Sequence, residues 1–402
     1  MFLHLLTRRN PAFLEAAIAL HQRGELPANA YALDLDAVRV NAETIRREAE
    51  RHGLEAFAMT KQVGRAPGFC AALIAGGIDA GVAVDMTCAR ALAAGGMALG
   101  HVGHLVQVPQ AEADAAAALE PRNWTVFSAD KAAEAAAAAL RAGRVQDLLA
   151  RIHAPADRFY SGHEGGFPAA DVLAVAERLD ALDGARFAGI TTFPALLFDA
   201  VERDVRPTPN LGTLAGAAER LRDAGVAAPR VNAPGTTSSA VLGLLAEHGA
   251  THVEPGHGLT GTTPLHAVRE LPELPAVCYV TEVSHLHAGR AYAFGGGLYV
   301  DPVFPDYRVR AVVAERPGLA DARTLPASIP PPEAIDYYAQ LDVGDGRAPR
   351  TGTTVLFGFR AQAFVTRAFV VGIDGVASGE PAVAGIWTAD GRRADWPLGA
   401  AR

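Results

Sequence analysis

Short apolar runs alternate with helical patterns from about Gly53 to Gly256, and Gly, Pro or Asn residues stand at the joints. Such alternation is typical of a parallel sheet, in which a helix after each strand returns the chain to the same edge. Eight runs have the length of strands, and all but the last precede a plausible helix. The strand candidates are Leu54–Thr60, Ile78–Val84, His104–Val108, Thr125–Ser128, Leu148–His153, Phe187–Thr192, Arg230–Asn232 and Thr251–Val253.

Strand–helix repeats of this number over roughly 200 residues predict a (β/α)8 barrel of the TIM type. The alternative is an open, doubly wound sheet, which usually carries a Gly-x-Gly-x-x-Gly turn after its first strand. The turn after Thr60 is instead Lys-Gln-Val-Gly-Arg. We therefore favour the barrel.

The chain changes character after about Pro264, where strand-like runs separated by turns, such as Pro330-Pro331-Pro332, replace the alternation. This pattern predicts a second, mostly β domain. We expect one helix and a connection in residues 1–29, a strand that joins the β domain in residues 30–36, the barrel in residues 37–264 and the β domain in residues 265–402.

Lysine is almost absent from the chain, since only Lys61 and Lys131 occur among 36 basic residues. Lys131 lies in the first turn of an Ala-rich helical pattern, where we expect it to be solvated, whereas Lys61 directly follows an apolar strand. A lysine at a strand end can be purely structural. Arginine, however, cannot replace lysine in forming an imine with a carbonyl group, because that chemistry needs an amine that loses its proton. The composition therefore favours a Schiff-base role for Lys61.

The carboxyl ends of the predicted strands should face one opening, where the active sites of such barrels lie. The polar side chains at these ends are Lys61, Asp85, Gln107, Thr192, Asn232 and Glu254. The loops after the last two strands, residues 233–239 and 255–261, are rich in glycine and hydroxyl groups. Loops at this place often bind phosphate through backbone N–H groups.

Either loop alone is equally compatible with a simple turn, but the two together with a Schiff-base lysine predict a pyridoxal 5'-phosphate site. In this site Glu254 would pair with the pyridine nitrogen and keep it protonated, which favours a carbanion at the substrate Cα. The other predicted cofactor contacts are Thr192, Asn232, Gly235, Thr236, Thr237, Gly256 and His257.

The segment from Tyr31 to Lys61 resembles the start of the fold-type III pyridoxal-phosphate enzymes, which include alanine racemase and the basic amino-acid decarboxylases. In that class the lysine after the first barrel strand binds the cofactor. The segment Glu254-Pro-Gly-His257 resembles the decarboxylase motif Glu-Pro-Gly-Arg, whose glutamate pairs with the ring nitrogen. Alanine racemase has arginine at that glutamate position, so the chain departs from it there.

Almost the whole chain resembles the bacterial YhfX family, described as alanine-racemase-like enzymes. The matching stretches are Met59–Arg65, Gly103–Gln107, Pro207–Asn210, Asn232–Pro234, Glu254–His257 and Arg360–Arg367. The resemblance implies the fold and the cofactor and leaves the substrate open.

We predict an amino-acid racemase in which Lys61 and Tyr292 serve as acid and base groups on opposite faces of the reacting centre. The resemblance implies the second base, because alanine racemase takes it from a tyrosine of the partner's β domain; Phe294 is the best-aligned residue here and Tyr292 is nearby. A decarboxylase or lyase is the first alternative, favoured by the Glu-Pro-Gly motif but without the decarboxylases' Cys-Asp pair. A non-catalytic pyridoxal-phosphate-binding protein is the second.

The resemblance also implies a head-to-tail homodimer, in which one chain's β domain covers the other's barrel opening. The short loops after the first four strands offer no lid, so cover for the site must come from elsewhere. A net charge of −8 argues against nucleic acid as a partner. No apolar stretch reaches the length of a membrane span.

Three widely spaced cysteines and an N-terminus too soon interrupted by Arg8, Arg9 and Pro11 to be a leader favour a cytoplasmic protein. The pair His285 and His287 has no third ligand nearby in sequence, so we expect no metal site.

Overall fold

The computed structural model describes residues 1–299, 301–304, 306–331 and 333–396, so Pro332 and the end of the predicted β domain lie outside the described residues. The chain divides into two compact units. One, the β unit, comprises Met1–Asn41, Lys61–Ala72 and Leu259–Arg402. The other, the barrel unit, comprises Ala42–Thr60 and Leu73–Gly258. The predicted domain boundaries at residues 36 and 264 stay a prediction.

The barrel unit contains a parallel sheet that closes on itself. Its strands are Glu55–Ala56 with Ala58–Met59, Ala80–Ala83, Ala98–Val102, Asn123–Val126, Gln146–His153, Ala185–Thr191, Arg230–Asn232 and His252–Val253. Each strand pairs in parallel with the next along the chain, and the last pairs with Glu55–Ala56 of the first. The first strand therefore pairs with both the second strand and the last, which closes the sheet. The predicted (β/α)8 barrel is confirmed.

Helices follow the barrel strands as the alternation predicts. Those with bounds inside the barrel unit are Met86–Ala94, Ala113–Ala118, Ala129–Arg141, Val172–Asp180, Pro209–Asp223 and Leu242–Glu247, while Leu35–Arg51 and Pro67–Ala75 each contain a unit boundary. The Asp85 side chain accepts a hydrogen bond from the Cys88 N–H (2.7 Å) and caps Met86–Ala94. Asp85 therefore starts a helix. No helix within the described ranges is long and apolar enough to cross a membrane.

The third barrel strand lies earlier than the sequence predicts, at Ala98–Val102 instead of His104–Val108. The prediction preferred the more apolar run, yet Val106 in that run is 50% exposed. The true strand carries Gly100 and His101 in its middle, which weakens its apolar pattern. Gly103, with φ +76°, ends it in a backbone conformation that favours glycine. Gln107 is consequently a loop residue.

The β unit contains the second, mostly antiparallel sheet. Its strands are Ala30–Asp34, Val277–His287, Arg290–Phe294, Arg310–Ala314, Arg323–Ser328, Tyr338–Asp342, Thr354–Phe357, Phe369–Asp374 and Ala382–Trp387. Val277–His287 pairs with both Arg290–Phe294 and Thr354–Phe357, so part of this sheet also closes into a ring. Ala30–Asp34 pairs with Val277–His287 and Phe369–Asp374. The predicted mostly β second part of the fold is confirmed.

The N-terminal segment contains two helices, Phe2–Arg9 and Pro11–Gln22, where the sequence predicts one. The break falls at Asn10, with φ −144°, because the proline ring disfavours a helical conformation in the residue before it. Apolar side chains from these helices pack in one core with strands of the β unit. Its members include Leu6, Phe13, Leu14, Ile18, Cys278, Val280, Leu356, Val371 and Ile373.

Candidate active site

Glu254 is a buried carboxylate that directly follows the last barrel strand. Its Oε1 lies 2.6 Å from His101 Nδ1 and accepts a hydrogen bond from Asn232 Nδ2 at 2.9 Å. Its Oε2 accepts no hydrogen bond from the described residues, although His104 Nε2 lies 3.5 Å away. One oxygen of Glu254 is thus fixed by two side chains, while the other keeps its accepting capacity.

The hydrogen-bonded partners of Glu254 reach it through the barrel interior. His101 comes from the third strand, and its Nε2 lies 2.5 Å from Thr125 Oγ1 of the fourth. Asn232 comes from the seventh strand, and its Nδ2 also donates to Thr191 Oγ1 of the sixth at 3.0 Å. Side chains from strands on opposite sides of a barrel meet only inside it. These residues therefore form a polar layer at the carboxyl ends of the strands.

The charge on Glu254 is set by this layer. Burial raises the pKa of the carboxyl group, but the neighbouring His104 and His101 imidazoles and the hydrogen bonds from His101 and Asn232 lower it further, to about 2. Glu254 is therefore an ionised acceptor inside the barrel. An ionised carboxylate is the state that can pair with a protonated ring nitrogen.

A metal ion is the other ligand that this layer could hold. Ligand atoms of His101, His104 and Glu254 all lie within 4.8 Å of one another, a combination of donors that Zn²⁺ accepts. Only His285 and His287 were candidates for a metal pair from the sequence, and this cluster was not predicted because the third strand was misplaced. In the structure the close contact between His101 Nδ1 and Glu254 Oε1 satisfies these two atoms with each other.

The two predicted phosphate loops lie against each other in the barrel unit. A Cβ on Gly258 would come within 2.5 Å of the Thr237 carbonyl oxygen, and one on Gly235 within 2.6 Å of the Leu196 nitrogen. Thr236 N–H donates to the Leu196 carbonyl oxygen at 3.1 Å. Only glycine fits at Gly235 and Gly258, so the backbone of both loops approaches its neighbours closely.

The remaining predicted residues of these loops lie in the barrel unit, in the same two connections. Thr237 is buried and its Oγ1 donates to the Gly235 carbonyl oxygen at 3.2 Å. Gly256 follows Pro255 in the last connection, and His257 begins the 3-10 turn His257–Thr260.

Thr192 is buried beyond the sixth strand, and Asn210 Nδ2 donates to its Oγ1 at 3.4 Å. Its neighbour Thr191, which the sequence analysis did not single out, is the threonine that bonds to Asn232. The next side chain, Phe193, contacts His104 edge-on with ring centroids 5.8 Å apart and stacks on His163 at 6.0 Å.

Lys61 and Tyr292 belong to the β unit. Lys61 begins the 3-10 turn Lys61–Val63, two residues beyond Met59, and its Nζ lies 5.4 Å from the centre of the Phe364 ring. The other lysine, Lys131, donates through its Nζ to the Val108 carbonyl oxygen (2.9 Å) and to Glu134 (2.6 Å). Lys131 is half-buried where the sequence analysis expected solvent.

Tyr292 lies on Arg290–Phe294 among aromatic and histidine side chains. Its ring stacks on His285 with centroids 4.6 Å apart and meets Tyr338 edge-on at 6.4 Å. Phe294, the other residue considered for this role, is 36% exposed and contacts Tyr338. These rings form one face of the β unit.

Four residues in or beside the interior layer were not predicted as site residues from the sequence: His101, His104, Thr125 and Thr191. The signal for His101 was a histidine in a short run three positions before the predicted third strand. For Thr191 it was the alternation of faces along Phe187–Thr192, which places Thr191 and Thr192 on opposite sides.

Comparison with known proteins places the two parts of the chain in families. Residues 33–264 match the family described as alanine racemase, N-terminal domain, and residues 278–383 match the family described as YhfX-like, C-terminal domain. The uncharacterized protein YhfX of Escherichia coli K12 is 37% identical over 385 residues, which cover 96% of this chain and 97% of that protein.

Solved structures share the fold over nearly the whole length. D-threonine aldolase from Filomicrobium marinum superposes with a TM-score of 0.67 at 20% identity, covering 91% of this chain and 96% of the other. D-threo-3-hydroxyaspartate dehydratase from Delftia sp. HT23 gives 0.63 at 20% identity, covering 91% and 98%. Alanine racemase from Clostridium difficile 630 in complex with cycloserine gives 0.64 at 13% identity, covering 90% and 99%.

Proteins of one fold thus include a racemase, an aldolase and a dehydratase. The alanine racemase match alone spans more than half of this chain, and the YhfX match extends over nearly all of it. The chain therefore belongs to the YhfX-like branch of the alanine-racemase-type family of fold-type III pyridoxal-phosphate enzymes.

Proposed function

We propose that this protein binds pyridoxal 5'-phosphate through Lys61 and acts at the Cα of an amino acid. The observation that carries the proposal is the buried, ionised Glu254, whose Oε2 accepts no hydrogen bond from the described residues. A buried acceptor without a donor is costly, so a ligand N–H is the partner that suits it. When bound, the cofactor would supply an electron sink for the electron pair left at Cα.

The described residues fit this cofactor. Glu254 would hold the ring nitrogen, with Asn232 and His101 fixing its orientation. The close-packed loops of Gly235, Thr236 and Thr237 and of Gly256 and His257 would hold the phosphate group through their backbone and hydroxyl groups. Thr192, buried beyond the sixth strand, would contact the ring.

Lys61 is the covalent attachment point in this proposal. Lys61 follows the first barrel strand in sequence, and Glu254 follows the last. These two strands pair with each other at Ala56 and Val253. An amine at a strand end of a TIM barrel has the position of a catalytic group.

We propose that the reaction at Cα is racemisation. Lys61 would move the Cα proton on one face of the substrate, and Tyr292, from the partner chain of a homodimer, would move it on the other. A decarboxylase or lyase is the second candidate, because structures of the same fold include an aldolase and a dehydratase. A non-catalytic cofactor-binding protein is the third.

Proton NMR in deuterium oxide with a panel of amino acids separates these candidates. A racemase exchanges the Cα proton for deuterium and produces the opposite enantiomer. A decarboxylase or lyase yields a new amine, aldehyde or keto acid instead. A protein that carries cofactor and exchanges no Cα proton with any amino acid would contradict the enzymatic proposal.

The shared site of the homodimer can be tested by mixing variants. We expect Lys61→Ala and Tyr292→Phe to be inactive alone, and a mixture refolded together to regain activity. Random pairing gives half of the dimers one variant of each kind, and each such dimer contains one site with both native residues. Activity of the mixture should therefore approach about a quarter of the wild-type value.

The control for this experiment is a mixture of Lys61→Ala with Lys61→Arg, which cannot restore a site. A mixture of the first two variants that stays as inactive as this control would overturn the assignment of Tyr292 to the partner's site. Sedimentation analysis of the wild type at micromolar concentration gives the oligomeric state independently.

A further inference from the structure

Two histidines and a glutamate converge in the polar layer of the barrel. His104 Nε2 lies 3.5 Å from Glu254 Oε2, and His101 Nδ1 lies 2.6 Å from Glu254 Oε1. All three side chains are at most 1% exposed, and one ligand atom of each falls within 4.8 Å of the others. Two imidazoles and one carboxylate are the protein ligands of a common class of catalytic zinc site, in which a further position stays open.

The spacing of these donors is close to that of a zinc site. Each ligand atom of tetrahedral Zn²⁺ lies about 2.0–2.1 Å from the ion, so the ligand atoms are about 3.3 Å apart. The separation of His104 Nε2 and Glu254 Oε2 is already near this value. The contact between His101 and Glu254 is a shorter hydrogen bond, and an ion that replaces its hydrogen needs the two atoms to separate by less than about 1 Å.

The hydrogen-bond partners of these ligands suit metal coordination. His101 Nε2 lies 2.5 Å from Thr125 Oγ1, and Asn232 Nδ2 donates to Glu254 Oε1 at 2.9 Å. Histidine and carboxylate ligands of protein metal sites commonly have such a second hydrogen bond, which fixes their orientation. A hydroxyl group can donate or accept, so Thr125 can hold His101 Nε2 whether Nδ1 carries a hydrogen or binds an ion. His101 and Glu254 are therefore oriented before an ion binds.

The donor set determines which kind of ion fits. Ca²⁺ and Mg²⁺ are bound through oxygen ligands, whereas imidazole nitrogens suit Zn²⁺ and other first-row transition-metal ions. The carboxylate of Glu254 supplies one negative charge, which offsets half of the charge of a divalent cation. Two nitrogens and one carboxylate therefore favour Zn²⁺ over an alkaline-earth ion.

We propose that His101, His104 and Glu254 bind a Zn²⁺ ion when no cofactor is present, and that the ion and the cofactor exclude each other. The exclusion rests on the proposed function, because there Glu254 Oε2 accepts a hydrogen bond from the ring nitrogen. A carboxylate bound to a divalent cation no longer attracts a protonated ring, and the ion itself repels that ring. Zn²⁺ is then an inhibitor that competes with pyridoxal 5'-phosphate.

Metal binding is measured on the full-length protein freed of cofactor, by titration with Zn²⁺ against a coloured chelator. The wild type should bind one ion per chain, and excess Mg²⁺ should not compete. His104→Gln removes one ligand and should weaken Zn²⁺ binding more than about 100-fold, since loss of only a hydrogen-bond partner of a ligand costs about 10- to 100-fold. Thr125→Val, which removes such a partner from His101, should weaken binding about tenfold.

Two histidine variants outside this cluster are the controls. His248 follows the helix Leu242–Glu247, and its Nδ1 lies 2.8 Å from the Leu244 carbonyl oxygen, so His248→Gln should bind Zn²⁺ like the wild type. His285→Gln tests the histidine pair of the β unit. Binding that is lost in His285→Gln and kept in His104→Gln would overturn the assignment, as would equal Kd values for Zn²⁺ in the wild type and His104→Gln.

Thermal melting adds a second readout of the same site. Zn²⁺ should raise the Tm of the wild type and of His248→Gln in a concentration-dependent way, because a ligand that binds only the folded state stabilises it. At the same concentrations His104→Gln should show a much smaller shift, and an equal shift in this variant contradicts the proposal. His101→Gln removes a different ligand and carries the test if His104→Gln does not fold.

Competition is measured by absorbance titration with pyridoxal 5'-phosphate. With Zn²⁺ at about 100 times its Kd, about 1% of the wild type is free of the ion, so the apparent Kd for the cofactor should rise about 100-fold. The same Zn²⁺ should change the apparent Kd of His104→Gln by no more than about twofold, which also controls for chelation of the cofactor by the ion.

The outcomes separate this inference from the proposed function. Zn²⁺ that binds the wild type through His104 without changing the apparent Kd for the cofactor overturns the exclusion and leaves the proposed function intact. A wild type that binds no cofactor in zinc-free buffer contradicts the proposed function and the exclusion with it. A wild type that binds cofactor and no Zn²⁺ overturns the metal site alone.

Discussion

Replacement of Lys61 by Ala or Arg is expected to abolish covalent binding of pyridoxal 5'-phosphate. The imine bond needs an amine that can lose its proton, which alanine lacks and arginine does not offer. Purified wild-type protein should be yellow, and both variants should lack this absorbance after dialysis and lose Cα exchange with every amino acid tested. Arg is the sharper replacement because it keeps the positive charge near Phe364.

The chain provides its own control, since Lys131 is its other lysine. Lys131→Arg keeps a donor beside Glu134 and the Val108 carbonyl oxygen, so this variant should keep both the absorbance and the activity. Borohydride reduction of the wild type followed by peptide mapping should find the label on the Lys61 peptide. A label on Lys131, or undiminished absorbance in Lys61→Arg, would refute the assignment.

The architecture of the barrel could be predicted because it depends on short-range sequence patterns. Each helix returns the chain to the same edge of the sheet, so alternating strands and helices predict a parallel sheet without knowledge of distant contacts. The position of Lys61 follows from the same pattern, because it is the first residue beyond Thr60 at the end of an apolar run. Glu254 was found in the same way.

The partners of Glu254 could not be predicted in this way. His101 is a polar side chain that projects into the barrel, where it contacts Glu254 and Thr125. A polar residue at an inward position weakens the apolar pattern by which strands are recognised. The strand was consequently placed in the neighbouring run His104–Val108. The polar residue that contributes to the site therefore makes its own strand difficult to recognise from the sequence.

The burial of Arg151 is a second feature that could not be predicted from the sequence. The residue was correctly placed inside a strand, Leu148–His153 in the prediction and Gln146–His153 in the structure, but its burial was not anticipated. Every residue of this strand up to Ile152 is buried, so alternation gives no sign of which face is inside. Only the pairing of Arg151 with Thr191 and of Thr191 with Asn232 assigns its face.

Glu254→Gln is expected to retain the cofactor and to lose most of the activity. Glutamine fills the same space and can still accept from Asn232 and His101, but it carries no charge to keep the ring nitrogen protonated. Removal of one preorganised electrostatic partner costs on the order of 100-fold or more in kcat. The measurement is kcat for Cα exchange at saturating substrate, with Kd for the cofactor determined in parallel by absorbance titration. Glu177→Gln, a change on the helix Val172–Asp180, serves as the matched control and should leave both values unchanged.

The same substitution has a pH signature in stability. The pKa of Glu254 is lowered from the ordinary value of 4.5 to about 2, so its carboxylate stabilises the folded state fully above pH 4.5, and this contribution is lost as pH falls towards 2. Glutamine does not titrate. Urea unfolding should therefore show wild type more stable than Glu254→Gln at neutral pH, and the difference should shrink between pH 4.5 and 2. A kcat within a factor of two of the wild type, or a stability difference that does not change with pH, would contradict an ionised Glu254 at the centre of this site.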